Sequence, residues 1–339
     1  MVKHMKHFDF EEEKITQEIL HLNAKHVLIQ MPQGLKPHAP QIAKIVEKTG
    51  AIATISADTC YGACDIAINE ALTLNADMII HFGHSKFVKQ SPIPTIYIET
   101  KTLINTTTAL KKALPLLTNY QKIGLATSVQ HIQTLNKAHK FLKNAGKTVI
   151  IGETINTTKY PGQVIGCDYN NVKSIENKVD AYLFIGGGIF HALGISLSTS
   201  KPTIVADPYD NRAFLINEID TQKLLKQHWA CIEQTRNAKN IGVIIGLKLG
   251  QKHFKNALKI KTLIEKHGKT AYLIAIREIT PEILLDFPTI DAYVNTACPR
   301  ISLDAPEKFT KPILTINEFM VAAGEASWQQ MLKKGLFEN

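Results

Sequence analysis

No uninterrupted apolar stretch in the 339-residue chain reaches the ~18 residues of a membrane span. The opening segment, Met1 to Asp9, has scattered lysines and histidines but no apolar core of a signal peptide. A cytoplasmic protein is the expectation. Cysteine is scarce as well: there are five, widely spaced and odd in number, which excludes a disulfide framework and leaves free thiols or metal ligands. Aromatic residues are only 7% of the chain and no basic block is continuous. The formal charge of +9 therefore reads as a lysine-rich solvated face, with Lys44, Lys48, Lys122, Lys143 and Lys147 among its members, and not as a nucleic-acid surface. An acidic protein partner is compatible with the same charge.

With 45% hydrophobic and 20% charged residues, the chain is an ordinary globular one with room for two or three domains. After an expected N-terminal helix over Phe8 to Leu22, a repeating grammar begins. Strand-like runs stand at His26–Met31, Ala51–Ile55, Met78–Phe82 and Thr95–Ile98, with helical stretches at Pro37–Lys48 and Ile66–Asn75. A second set follows at Lys122–Thr127, Thr148–Gly152, Ala181–Ile185 and Thr203–Ala206. A third occupies Ile241–Gly246, Thr270–Ile276, Asp291–Asn295 and Ile313–Ile316. Strand starts lie roughly twenty to thirty residues apart, the length a parallel crossover needs, and the runs are apolar throughout, as in strands covered on both faces. The expected fold is α/β: three similar domains, each a four-stranded, mostly parallel sheet flanked by helices, produced by internal triplication around a central site. Their expected bounds are 1–104, 105–215 and 216–339, the last closed by one helix over Asn317 to Lys333.

Three cysteines stand in glycine- or proline-rich loops that follow strand-like runs: Cys64 in Tyr61-Gly62-Ala63-Cys64, Cys167 in Gly162-Gln163-Val164-Ile165-Gly166-Cys167, and Cys298 in Ala297-Cys298-Pro299-Arg300. One falls in each unit, on the carboxyl side of a parallel sheet, the edge where open α/β folds hold ligands. Cys64 is expected at a helix N-terminus, which favours the thiolate. The count fits zinc or an iron-sulfur cluster with one open iron. Cys60 is placed as a neighbour that could also serve as a fourth or alternative ligand, and Cys231 as a packing residue in a helix. His81 and His84 end a strand and are candidate ligands or acid/base groups. The amides of Gly186, Gly187 and Gly188 could cradle a carboxylate or phosphate, although this run lacks the spacing of a dinucleotide fingerprint and the lysine of a P-loop. Asp207-Pro208-Tyr209-Asp210 ends a strand or forms a turn.

These segments, together with His81-Phe82-Gly83-His84-Ser85, Phe184 to His191 and Gly242 to Gln251, resemble in order the signature blocks of the diphthamide-synthesis 3-amino-3-carboxypropyltransferases, in the single-chain archaeal form. The resemblance spans about Lys25 to Ala323. It implies a homodimer in which Cys64, Cys167 and Cys298 hold a 4Fe-4S cluster. It further implies that S-adenosylmethionine is cleaved at its Cγ–S bond, and that the resulting 3-amino-3-carboxypropyl radical adds to C2 of a histidine of translation elongation factor 2, with a separate electron donor. The Cys-x-x-x-Cys-x-x-Cys motif of ordinary radical enzymes is absent here, as in that family. Gly186 to Gly188, Arg300 and His84 are the candidate contacts for S-adenosylmethionine, the arginine by a bidentate carboxylate contact. Two alternatives stand beside this reading: a quinolinate synthase-like dehydratase, and a non-catalytic electron-relay subunit. Cys60, Asp65 and Gln163 depart from residues common in relatives.

Overall fold

A computed structural model describes residues 8–337 apart from positions 156 and 305, so the reading of the first seven residues lies outside the described residues. The strands, in chain order, are β1 (Phe8–Asp9), β2 (His26–Gln30), β3 (Ile52–Ile55), β4 (Met78–Phe82), β5 (Thr95–Ile98), β6 (Lys101–Thr102), β7 (Lys122–Thr127), β8 (Thr148–Ile150), β9 (Ala181–Ile185), β10 (Thr203–Asp207), β11 (Arg212–Leu215), β12 (Asn240–Gly246), β13 (Thr270–Ile276), β14 (Ala292–Asn295) and β15 (Ile313–Thr315). Three main sheets result, ordered β3-β2-β4-β5, β8-β7-β9-β10-β11 and β13-β12-β14-β15. Within each unit the strand order is the same, second-first-third-fourth, and these pairings are all parallel. The α/β class and the mostly parallel sheets flanked by helices are thus as expected, but the second strand of each unit, β3, β8 and β13, is a partly exposed edge and not covered on both faces.

The repetition extends to single side chains. In each unit an aspartate before the third strand turns its carboxylate onto the two amides that open the first strand. Asp77 accepts from Lys25 and His26 at 2.6 and 2.8 Å, Asp180 from Gln121 and Lys122 at 2.9 and 2.7 Å, and Asp291 from Lys239 and Asn240 at 2.9 and 2.8 Å. Each first helix ends in a left-handed glycine before the second strand, Gly50, Gly146 and Gly268, at φ of 87°, 81° and 71°, a conformation that costs a residue with a Cβ about 1–2 kcal/mol. In the second and third units a buried tyrosine of the third strand lies over a glycine of the first. A Cβ on Gly124 would stand 2.5 Å from the Tyr182 ring, and one on Gly242 would stand 2.7 Å from that of Tyr293. Two devices that recur in all three units, and a third shared by two of them, are consistent with internal triplication.

Where expectation and structure differ, local backbone chemistry is the reason. The N-terminal helix covers only Glu12–His21, because Glu11 is left-handed and its amide is held by the Asp9 carboxylate; Phe8–Asp9 instead pairs antiparallel with Lys101–Thr102. The second sheet gains an antiparallel fifth strand, β11, against β10, in a stretch where the sequence reading placed no strand. The single C-terminal helix is two, Ile316–Ala322 and Trp328–Lys334, the second opened by a capping box between Ser327 and Gln330. The second and third units share one apolar core that includes Val164, Phe184, Val243, Val294 and Phe319, whereas the first unit's core is its own.

The aspartate clamps carry a pH dependence. Bonds from the two backbone amides hold Asp77, Asp180 and Asp291 below the ordinary carboxylate range. A depressed folded pKa means stability present above the unfolded value and lost as pH falls through the folded one, so this loss begins below about pH 4. Urea melts of the wild type and of a triple Asp→Asn variant check it. The variant's acid loss should be visibly shallower, and identical profiles would remove the clamps from the account.

Candidate functional site

The carboxyl ends of the three sheets face one another across a cavity of about 740 Å³, within the ~300–1,000 Å³ of small-molecule sites. Its wall takes residues from each unit: Tyr61 to Cys64 and His84 from the first, Gln163 to Cys167 and Phe190 from the second, Lys248, Gln251, Cys298 and Arg300 from the third. A second cavity of about 500 Å³ shares Cys64, Cys167 and Cys298 with it. Three cysteines separated by a hundred or more positions are therefore neighbours across a single space. Cys60 and Cys231 line neither cavity. Cys231 lies in the helix Glu218–Arg236 and packs against the shared core.

The loop that carries Cys64 is clamped by the third unit. The amide of Gly250 donates to the Cys64 carbonyl at 2.8 Å, and the Gln251 side-chain amide reaches the Cys64 Sγ at 3.5 Å. The approach requires glycine, since a Cβ on Gly250 would stand 2.5 Å from the Cα of Cys64. Next to the cysteine, the buried Asp65 carboxylate meets the buried Lys248 ammonium at 2.9 Å. Lys248 also bonds Glu278 at 2.7 Å and lies over the Tyr61 ring. Burial disfavours the Lys248 ammonium, but the bonds to Glu278 and Asp65 outweigh it and keep the lysine charged. The Cys167 loop is tied to the first unit by Gln163, which is fully buried. Its amide nitrogen donates to Ser85 at 3.0 Å while its oxygen accepts from the amides of Lys159 and Tyr160. In the third unit Asn295 donates to the Cys298 carbonyl at 2.7 Å.

The thiols differ electrostatically from expectation. Cys64 is not at a helix N-terminus, because the helix that follows begins at Ile68 and is six residues long. Burial pushes its thiol up. Burial also pushes Cys298 up to about 11, with the Cys64 charge adding to it, and raises Cys167 further, the Cys298 and Cys64 charges adding there too. As bare groups all three are protonated at neutral pH, and a cation must displace the protons.

Arg300 lines the cavity, but its fork is not open. One terminal nitrogen bonds Asp304 at 2.6 Å, the other faces the Tyr169 hydroxyl at 3.5 Å, and the guanidinium lies 3.6 Å over the Phe190 ring. The bidentate carboxylate geometry expected of it is thus not available as it stands. Its charge instead favours the thiolate forms of Cys167 and Cys298. The triple glycine differs from expectation too. Gly186, Gly187 and Gly188 line neither cavity, the Gly186 amide donates to the Ala206 carbonyl at 3.1 Å, and the Gly188 amide donates to the Asp207 carboxylate at 3.3 Å. Two of the three amides are spent on the chain's own acceptors. His84 does reach the cavity, and burial drops its imidazole to about 4. Lys248 and Gln251 receive no role from sequence reasoning. A lysine, even inside a recognised block, gives no sign in sequence that it is buried.

Three α/β units of one strand order, with a cysteine from each on a common cavity, define a thiol-lined site built between repeats. The comparisons make that class particular. The sequence model of a family described as "Putative diphthamide synthesis protein" matches residues 31–333, and the chain belongs to that family. It is 36% identical over 317 residues to the 2-(3-amino-3-carboxypropyl)histidine synthase of Pyrococcus horikoshii, covering 93% of this chain and 91% of the relative. It is 29% identical over 330 residues to subunit 1 of the human enzyme of that name, covering 95% of this chain and 74% of the relative. The crystal structure of Dph2 from Pyrococcus horikoshii with a 4Fe-4S cluster superposes with a TM-score of 0.87 at 34% identity, covering 95% of this chain and 92% of that one. No helix among the described residues is long and apolar enough to cross a membrane.

The clamp on the Cys64 loop is testable. Lys248→Met leaves the Asp65 carboxylate buried without its partner, a change that costs about 3–5 kcal/mol. Chemical denaturation should show most of that loss, with the double variant Asp65→Leu/Lys248→Met recovering part of it. A loss below ~1 kcal/mol, the range of a surface pair, would show that the ammonium does not hold this loop.

Proposed function

We propose that this protein is a 2-(3-amino-3-carboxypropyl)histidine synthase. In this reading it cleaves S-adenosylmethionine at the Cγ–S bond, releases methylthioadenosine, and transfers the 3-amino-3-carboxypropyl group to C2 of a histidine of translation elongation factor 2, the first step of diphthamide formation. The observation that carries it is one cysteine from each repeat on a common cavity, in a chain whose relatives bear that name.

The donor set fits a 4Fe-4S cluster. Three soft sulfur donors suit iron and sulfide, and their raised pKa values call for a cationic centre. A single tetrahedral ion with metal–sulfur bonds of about 2.3 Å would draw thiolates within ~4 Å of one another. Among the described residues these three sulfurs do not form a donor group closed to 4.8 Å; a cluster distributes its thiolates over several irons. Cys64, Cys167 and Cys298 are the proposed ligands. When bound, such a cluster supplies an electron and one iron without a protein ligand.

The chain's own residues do the rest. Gly250, Gln251 and Lys248 hold the Cys64 loop, Gln163 holds the Cys167 loop, and Arg300 offsets negative charge beside Cys167 and Cys298. The cavity would hold S-adenosylmethionine, with His84 among its lining residues. The unit bounds 1–104, 105–215 and 216–339, a homodimer, an external electron donor and a cytoplasmic location belong to the same reading. No observation in the structure favours the quinolinate synthase-like dehydratase or the electron-relay subunit.

Anaerobic reconstitution followed by dithionite, S-adenosylmethionine and elongation factor 2 should add one 3-amino-3-carboxypropyl group to a histidine of the factor, read by peptide mass spectrometry. Ala at position 64, 167 or 298 should abolish the gain and Cys231→Ala should retain it. Methyl transfer, or no iron bound, rejects the reading. Arg300→Ala should lower the cluster's reduction potential, because removing a positive charge favours the more oxidised state. An unchanged potential with weakened S-adenosylmethionine binding would return the arginine to a carboxylate contact.

A further inference from the structure

Beside the cavity stands a second donor group that the cluster reading leaves unused. One ligand atom each from Cys60, His81 and His84 lies within 4.8 Å of the other two. Cys60 and His81 are buried. The two imidazoles meet at 3.0 Å, His81 Nε2 to His84 Nδ1, and His81 Nδ1 stands 2.8 Å from the Gln30 Oε1.

The orientation of Gln30 is determined by its other bonds. Its nitrogen donates to the Asp65 carbonyl at 2.7 Å, and its oxygen accepts from the Ala67 amide at 3.1 Å. That oxygen can only accept, so His81 Nδ1 carries the proton and Nε2 presents a lone pair. A carbonyl oxygen that fixes the tautomer of an imidazole in this way is the usual outer partner of a metal-ligating histidine.

We propose that Cys60, His81 and His84 form a mononuclear site for a borderline-soft divalent cation of the zinc class, separate from the three-cysteine centre. One thiolate and two imidazoles select zinc or its neighbours over magnesium and calcium. Three protein donors leave a fourth position for water or an added ligand. Since His84 also lines the cavity, an oxygen or nitrogen of a molecule held there can supply that donor. Cys60 is assigned here to this ion and not to the cluster.

The test uses the full chain after anaerobic iron-sulfide reconstitution, incubated with zinc sulfate and desalted. Elemental analysis should find one zinc per chain beyond the iron, and zinc-edge X-ray absorption should show one sulfur and two imidazole nitrogens. Cys60→Ser should weaken zinc retention at least tenfold in a chelator competition and remove the sulfur from the zinc shell, with iron content unchanged. His84→Gln should likewise weaken retention. No retained zinc, equal retention in Cys60→Ser, a three-sulfur shell, or iron loss in Cys60→Ser would each overturn the assignment. Iron content is read separately, so failure of the zinc site and failure of the cluster reading are distinguishable.

Discussion

Three buried thiols facing one shared cavity cannot all ionise unless a positive centre joins them, and much of this molecule is arranged around that constraint. Burial raises each thiol, and the charge of one opposes that of the next. The same burial strengthens every favourable interaction the site receives, from the Gln251 amide at the Cys64 sulfur to the Arg300 charge beside the other two. A pocket of this kind is poor at making a reactive free thiolate and well suited to holding soft, positively charged inorganic matter.

The loops bearing those thiols belong to separate sheets, so their approach depends on contacts between units. Those at the cysteine loops are polar: the Gly250 amide on Cys64, Lys248 between Asp65 and Glu278, Gln163 against Ser85. Polar bonds specify relative position more sharply than apolar burial, which tolerates sliding, and an unmade buried bond is costly. Lys159, Lys101 and Tyr160 converge likewise on Glu99 between the first two units. The second and third units add a shared apolar core.

Repetition supplies the frame, and departure from it supplies the site. The aspartate clamps and the left-handed glycines recur because each unit solves the same problem of starting a first strand and ending a first helix. The cysteines do not recur in equivalent places. Cys64 and Cys167 follow second strands at different distances, and Cys298 follows a third strand. All three nevertheless leave the carboxyl ends of their sheets, the side that lines the cavity.

Parallel strands were legible in sequence to within a residue or two, because an apolar run covered on both faces leaves a local signal. Cysteines in glycine- and proline-rich loops marked the site for a similar reason: each lies in a context that packing alone does not explain. The strand Arg212–Leu215 and the break near Gly324 were not legible, since short edge strands and capped breaks depend on a neighbour or on one side-chain bond. The sequence by itself determined three sets of four mostly parallel strands and the loops that follow them, through periodicity and local propensity, while the common strand order came from the structure. Tertiary structure decided that those loops meet, that Cys64 is a buried thiol and not a helix-activated one, and that Arg300 and two of the three glycine amides are already engaged, because burial, charge and hydrogen-bond partners are properties of residues distant along the chain.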